Sequence, residues 1–233
     1  MRKAKRISIM SYRDDSLAAV RLFIGKFEKY TVAFSHQAED VVLLDLVKQI
    51  DPSPNVFTIN TGKLFHESEE YTKTAEEFFG VKIHSLQPDR KEVENMTAAH
   101  GEQLYYESVE LRKLCCHVRK VNPLQKYLKN FPMWLTGLRR EQSPTRADLE
   151  TMEYDEATKI YKISPLLDWN TGQIFDYIKE RGIPLNPLYA QGYPSIGCAC
   201  CTRPVEQGED IRRGRWWWED PSQKECGLHI KHK

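Results

Sequence analysis

The stretch TVAFSHQAEDVVLLDLVKQI, residues 31–50, constrains the fold more than any other. Thr31–Phe34 is short and apolar, SHQAED is polar, and VVLLDLVKQI is apolar on nearly every side. Strand, polar turn and buried helix in that order open a βαβ unit. The alternation then continues. VFTIN, residues 56–60, predicts a second strand, and TGKLFHES leads into a helix over Glu67–Phe79 stopped by Gly80. Val81–Leu86 alternates as a third strand, with helical segments around 91–100 and 105–114. Pro123 interrupts or kinks any helix that runs through CCHVRKVNPL. Met133–Gly137 and Lys159–Ser164 predict further strands, and Asp168–Arg181 a helix capped by Asp168, Asn170 or Thr171 and stopped by Gly182. Ahead of the first strand, Leu17, Val20, Phe23, Ile24 and Phe27 recur at helical spacing over residues 16–30. The expected fold is α/β: one doubly wound, mostly parallel sheet, with a loop-rich C-terminal extension from Ile183. No repeat, low-complexity tract or linker divides the chain.

Composition removes several function classes. The 34 basic and 33 acidic residues leave a formal charge of +1. So balanced a chain offers no broad field for a nucleic-acid backbone or an anionic membrane. No apolar run reaches the roughly 18 residues a membrane-spanning helix needs. MRKAKRISIM is basic but lacks the apolar core and cleavage site of a signal peptide. These features predict a cytoplasmic protein that binds neither nucleic acid nor membrane.

In a reducing cytosol, six cysteines point to metal binding or catalysis rather than disulfides. Cys115 and Cys116 are adjacent, and Cys198 and Cys201 form a C-x-x-C pair within SIGCACCTR. Two such pairs suit one metal centre, with zinc and an iron–sulfur cluster both compatible with four thiolates. Cys200 is left as a bystander. Cys226 stands alone in KECGLH, among charges that favour a thiolate, and is the candidate nucleophile. SHQAED is placed where α/β sheets bind anions at a helix N-terminus, but it is not a Walker loop. Glu39 and Asp40 have a sufficient structural reason there, since they complement the helix dipole.

Taken together, AED before an apolar helix, FTINTGKLFHES, CCHVRKVNPL, WLTGLRREQSPTRA, YPSIGCACCTRPV, GRWWWE and KECGLH resemble the adenylylsulfate/phosphoadenylylsulfate reductases of assimilatory sulfate reduction. The resemblance covers about 31–229. It implies an adenine-nucleotide α-hydrolase-like fold of the ATP pyrophosphatase type. Domain organisation follows: residues 1–203 form the nucleotide-binding unit with the metal centre, and 204–233 a mobile C-terminal segment of the same domain. The four paired cysteines match the cluster-bearing branch, which implies a [4Fe-4S] centre held by Cys115, Cys116, Cys198 and Cys201. The resemblance further implies that Cys226 attacks the substrate sulfur, displaces AMP and becomes an S-sulfocysteine, from which thioredoxin or a similar dithiol releases sulfite. Substrate contacts map onto Ser35, Gly62, Lys120, Gly137, Arg146, Arg212, Arg215 and His229. Guanidinium forks at these positions suit phosphate and sulfate oxygens. Arg139 and Arg140 are read as ordinary solvated charges, and the Trp216–Trp218 run as packing. One departure stands out: Gln37 occupies a position where the family usually has glycine, and glycine permits close approach and positive φ.

The implied reaction is thioredoxin-dependent reduction of adenylylsulfate to sulfite and AMP. Phosphoadenylylsulfate reduction, or dual specificity, is the alternative. An ATP-pyrophosphatase-type thiolation enzyme would need a fuller glycine-rich turn, and a zinc-bearing interaction module would leave Cys226 and the cations without purpose. The sequence fixes no oligomeric state, and a homo-oligomer is compatible with it.

Overall fold

A computed structural model of the protein describes residues 2–143, 146–156, 158–206, 208–220 and 224, with side chains from residue 12 onward. Six strands form one sheet in the order β3-β2-β1-β4-β6-β5. They are β1 (Tyr30–Ala33), β2 (Val56–Ile59), β3 (Ile83–Leu86), β4 (Met133–Leu135), β5 (Met152–Asp155) and β6 (Ile160–Ile163). All pairings are parallel except that of β5 with β6. The chain lays strands outward from β1 in one direction, then returns to place β4 on its other side. The order therefore reverses at the β1/β4 junction, where open α/β sheets leave a crevice beyond their carboxyl ends.

Among the described residues seven α-helices accompany the sheet: α1 (Arg2–Lys26), α2 (Ala38–Lys48), α3 (His66–Phe79), α4 (Arg90–His100), α5 (Val109–Cys116), α6 (Asn122–Leu128) and α7 (Thr171–Arg181). The helix predicted over 16–30 is the C-terminal part of the longer α1, which ends at Lys26, and Tyr30 already belongs to β1. Helix α2 explains its own composition. Val41, Val42, Leu43, Leu44, Leu46 and Val47 are all fully buried. It lies between the sheet and a layer contributed by α1 and α7, sharing one core with Val20, Val32, Leu135 and Ile174. Alternation along the strands divides the two faces. Val32, Met133 and Leu135 face that core, whereas Phe57 and Trp134 pack with Leu124 and Leu128 of α6 on the other side. Fully burying each such side chain is worth about 1.5–3 kcal/mol.

Pro123 acts by resetting a helix. A proline ring clashes with the carbonyl four residues back and supplies no N–H. The chain passes from α5 through one wide π turn, His117–Val121, and restarts with Pro123 in the first turn of α6. Side chains on either side of that turn, Cys115 and Cys116 before it and Arg119 and Lys120 within it, are thereby offered to the crevice side of the sheet. For α7 the structure selects Asn170 among the three candidate caps, its side chain accepting from Gln173 N at 2.9 Å.

Residues beyond 203 are tied back, at least to Glu219. Thr202 bridges to Arg215, Arg203 N donates to Gly214 O, and Trp216 N donates to Cys201 O. The C-terminal segment expected to start at 204 therefore begins as an extension of the cysteine loop.

Candidate active site

The crevice at the switch point is a cavity whose walls come from five parts of the chain. Ser35, Gln37 and Asp40 line it from the β1–α2 turn, Thr61 from beyond β2, Lys120 from the π turn, and Gly137 and Arg146 from beyond β4. Ser195, Ile196, Gly197, Arg212 and Arg215 close it from the C-terminal loops. Of the substrate contacts predicted from the sequence, Ser35, Lys120, Gly137, Arg146, Arg212 and Arg215 all come together here. Gly62 does not line the cavity; it is exposed, and its N–H is taken by Asn60 Oδ1 at 2.9 Å. His229 and Cys226 lie outside the described residues.

Two glycines are fixed by close approach. A Cβ on Gly137 would stand 2.8 Å from both Asp40 Oδ1 and Glu39 Cβ, so β4 can meet the start of α2 only without a side chain there. A Cβ on Gly197 would stand 2.4 Å from the Arg215 guanidinium, which donates to Ile196 O at 2.9 Å.

The turn itself departs from expectation. Gln37 has φ −98° and ψ 162°, extended backbone open to any residue, so the fold does not require glycine at this position. Positive φ falls instead on the buried His36, at 68°. Its Nε2 lies 2.9 Å from Thr72 Oγ1, and burial pulls its pKa down to about 4. Asp40 is buried as well. Its Oδ2 accepts from Ser35 N and Ser35 Oγ, both at 2.6 Å, and burial pushes its carboxyl up to about 7 against those bonds. The Gln37 amide spans the mouth weakly, with Ser35 Oγ and Ile196 N each near 3.5 Å.

The cations are not the solvated charges that single arginines usually are. Arg139, read from sequence as a surface charge, is buried, and its Nε and Nη2 both donate to Glu39 Oε1, at 3.0 and 2.6 Å. That pair replaces the helix-dipole account of Glu39. Arg140 does keep a surface position, paired with Asp168. Arg112 is fully buried and donates to both oxygens of Glu219, at 2.8 and 2.7 Å. Its guanidinium lies 4.5 Å from the Trp216 ring, and that of Arg215 lies 4.7 Å from the same ring. Arg212 lies over the same ring at 5.8 Å, so Trp216 is a buried platform for three arginines, consistent with packing, and it also lines the cavity.

Next to this cavity is a smaller one lined by Cys115, Cys116, Cys198, Cys200 and Cys201. The four cysteines predicted to hold a metal centre therefore converge, although 82 residues separate Cys116 from Cys198. All four are buried, and Cys200 is half-buried, its Sγ 3.7 Å from that of Cys201. Lys63, Arg112, Arg119, Lys120 and Arg215 surround them. Thr61 Oγ1 stands 3.3 Å from Cys198 Sγ. Arg119 Nε and Trp216 Nε1 are buried without a hydrogen-bond partner among the described residues. Burial holds the Cys115 thiol up, and Arg119 opposes it. Among the described residues no set of three or more His, Cys, Asp or Glu side chains is arranged to hold a single metal ion.

Residues 29–204 match the phosphoadenosine phosphosulfate reductase domain. The chain belongs to that family. An adenosine 5′-phosphosulfate reductase of Burkholderia cepacia is 46% identical over 217 residues, 93% of this chain and 87% of that protein. One from Allochromatium vinosum is 42% identical over 204 residues, 88% and 80% of the two chains. Among solved structures, a phosphoadenylyl-sulfate reductase from Candida auris, in a phosphate complex, superposes with TM-score 0.68 at 24% identity, covering 82% of this chain and 94% of that one. An FMN adenylyltransferase of Candida glabrata shares the fold at TM-score 0.60 and 14% identity, covering 97% of this chain and 78% of that one. The reductase family thus sits on the nucleotide-binding fold that the alternating strands and helices predict. The resemblance stated from KECGLH, GRWWWE and the paired cysteines is confirmed.

Sequence reasoning missed the two buried ion pairs. Glu39 and Arg139 lie 100 positions apart, and Arg112 and Glu219 lie 107 apart. No periodicity connects residues at such distances. The signal available was weak: an arginine four positions beyond β4, and a glutamate ending a tryptophan run.

Proposed function

We propose that the chain is a thioredoxin-dependent adenylylsulfate reductase, an oxidoreductase that converts adenylylsulfate to sulfite and AMP. The relatives named for that reaction, at 41–46% identity over most of the chain, supply the class. The observation that carries the site is the convergence of Lys120, Arg146, Arg212 and Arg215 on one cavity at the switch point. A phosphate joined to a sulfate is an anion that needs several fixed donors, and guanidinium groups supply them with little reorganisation. Ser35 offers a hydroxyl at the helix N-terminus, where the dipole favours negative charge.

Cys226 is the nucleophile in this reading. Arg212, itself a cavity wall, donates from Nη2 to Lys224 O at 2.9 Å. Cys226 follows Lys224 by two residues in the sequence. Its thiolate attacks the sulfate sulfur. A sulfur–sulfur bond forms, the bridging S–O bond breaks, and AMP leaves with that electron pair. A thiolate of the donor then attacks Cys226 Sγ and sulfite departs. The donor's second thiolate releases Cys226 and closes a disulfide, so the dithiol's two electrons reduce the sulfur. Residues 204–233 form the segment that presents Cys226 first to the nucleotide and then to the donor protein. His229 and Lys224 supply positive charge near the thiolate.

The cysteine-lined cavity suits a [4Fe-4S] cluster held by Cys115, Cys116, Cys198 and Cys201. A single zinc ion draws four sulfurs to about 2.3 Å from one centre. A four-iron centre takes one thiolate per iron and so spaces its ligands more widely. Such a cluster is anionic, and the ring of five basic side chains, the Thr61 hydroxyl and the unpartnered N–H groups of Arg119 and Trp216 fit its sulfurs. When bound, it supplies a fixed negative charge and electronic polarisation beside Lys120, which lines both cavities.

The test is a stalled half-reaction. Protein given adenylylsulfate without a dithiol is expected to gain the mass of one SO3 group on the peptide bearing Cys226. Cys226→Ser is expected to bind nucleotide yet release no sulfite. An active Cys226→Ser variant, or an adduct on Cys200, would overturn the assignment.

A further inference from the structure

Beyond the anion clamp, one group in the nucleotide cavity is placed where a phosphate should be. Asp40 lines the cavity, is buried, and directs Oδ2 at the donors of the β1–α2 turn. Ser35 N and Ser35 Oγ both donate to it at 2.6 Å, and Gln37 N lies 3.5 Å away. Ordinary helix capping accounts for the Gln37 contact. It does not account for the two Ser35 bonds, which are the shorter ones. A serine hydroxyl has one proton to give. While that proton is on Asp40, Ser35 cannot donate it to a ligand.

We propose that Asp40 is an internal anion of the phosphate turn, a positioning residue that takes up a proton when the nucleotide's phosphate binds. This rests on the reading above that the cavity binds the nucleotide.

Among the described residues, the groups facing Asp40 bring it no cation. Glu39 is beside it on α2, with its own charge matched by Arg139. Tyr71 of α3 and the partly buried Tyr189 of the turn Pro187–Gln191 face it with phenols. His36 in the β1–α2 turn is held neutral by burial, and on the β4 side the bare Gly137 approaches. A phosphate reaching the Ser35 donors would bring like charge against an uncompensated buried carboxylate, which is costly. Protonation removes the repulsion. It also frees the Ser35 hydroxyl to donate to a phosphate oxygen, and the carboxylic acid itself becomes a donor. The free carboxyl already titrates near neutrality, at about 7, so little is needed to protonate it.

The test is titration calorimetry with AMP at pH 8, where the ligand's own phosphate, with its second pKa near 6, is already ionised. Running it in two buffers of different ionisation enthalpy counts protons. The expected result is uptake of close to one proton per AMP. Affinity should fall about tenfold per pH unit above neutrality. Asp40→Asn, which cannot titrate, is expected to bind AMP with neither the uptake nor the pH dependence. If that variant does not fold, the wild type still decides: a protonated-carboxyl band should appear in its infrared difference spectrum on AMP binding. AMP binding with no proton uptake, or uptake that persists in Asp40→Asn, overturns the proposal while leaving the nucleotide site intact. Failure of AMP to bind the wild type at all overturns both.

Discussion

Arg139 and Gly137, two positions apart, hold the end of β4 against the start of α2 in opposite ways. Arg139 does it by charge. Both it and Glu39 are nearly solvent-free, so each alone would be an uncompensated buried ion. Arg139→Met is expected to cost about 3–5 kcal/mol in denaturant unfolding, and adding Glu39→Gln to restore much of the loss. A double variant as unstable as the sum of the two single ones would show that the pair is not coupled. Gly137 does it by absence. Gly137→Ala places a methyl 2.8 Å from Asp40 Oδ1 and Glu39 Cβ. Overpacking of this kind costs about 1–3 kcal/mol. Because the strain falls on the turn that carries Ser35, AMP affinity is expected to fall with stability. Unchanged AMP affinity in a folded Gly137→Ala protein would separate this contact from the nucleotide site.

At the scale of elements, the β1–α2 turn holds two buried titratable groups with opposite linkage to pH. Asp40 binds its proton more tightly in the folded chain, with a pKa of about 7, so its contribution is present in acid and lost as pH rises from about 4 to 7. His36 binds its proton less tightly, with a pKa of about 4, so its contribution is present above 6.5 and lost as pH falls toward 4. Between those limits the two slopes oppose each other at up to about 1.4 kcal/mol per pH unit each. Asp40→Asn should therefore lose stability, relative to wild type, as pH falls from 6.5 to 4.5, by on the order of 2 kcal/mol. His36→Gln should shift the opposite way. Denaturant midpoints across that range test both, and parallel profiles for all three proteins would remove this account of the turn. The same element shows what a sequence can carry. SHQAED was legible as the turn between β1 and α2 because a polar hexapeptide stands there between an apolar strand and an apolar helix. That position 37 tolerates glutamine was not legible, since it follows from backbone angles in which His36, rather than Gln37, takes the left-handed conformation.

Over the whole molecule, β1, β2, β3, β4 and β6 could be read from the sequence, and three of them owe it to burial on two faces. β1, β2 and β4 are apolar runs because helices cover both sides of the sheet. β5 could not be read. It is an antiparallel edge strand whose Met152 and Tyr154 are exposed and whose Glu153 pairs with Lys162, so no apolar period marks it. The pairing of the cysteines was legible by spacing alone, whereas the cations around them come from three parts of the chain, at residue 63, residues 112–120 and residue 215, and needed the fold. For that centre, Cys201→Ser is expected to lose bound iron and the brown colour, and Cys200→Ala to keep both. Bleaching by Cys200→Ala would exchange the roles of the two residues. The central claim, that this cavity reduces adenylylsulfate, is tested most directly by turnover. Purified protein supplied with reduced thioredoxin and adenylylsulfate is expected to release sulfite and AMP in equal amounts, and to turn over phosphoadenylylsulfate more slowly. Preference for phosphoadenylylsulfate would contradict the choice of substrate, and absence of sulfite from either nucleotide would contradict the account itself.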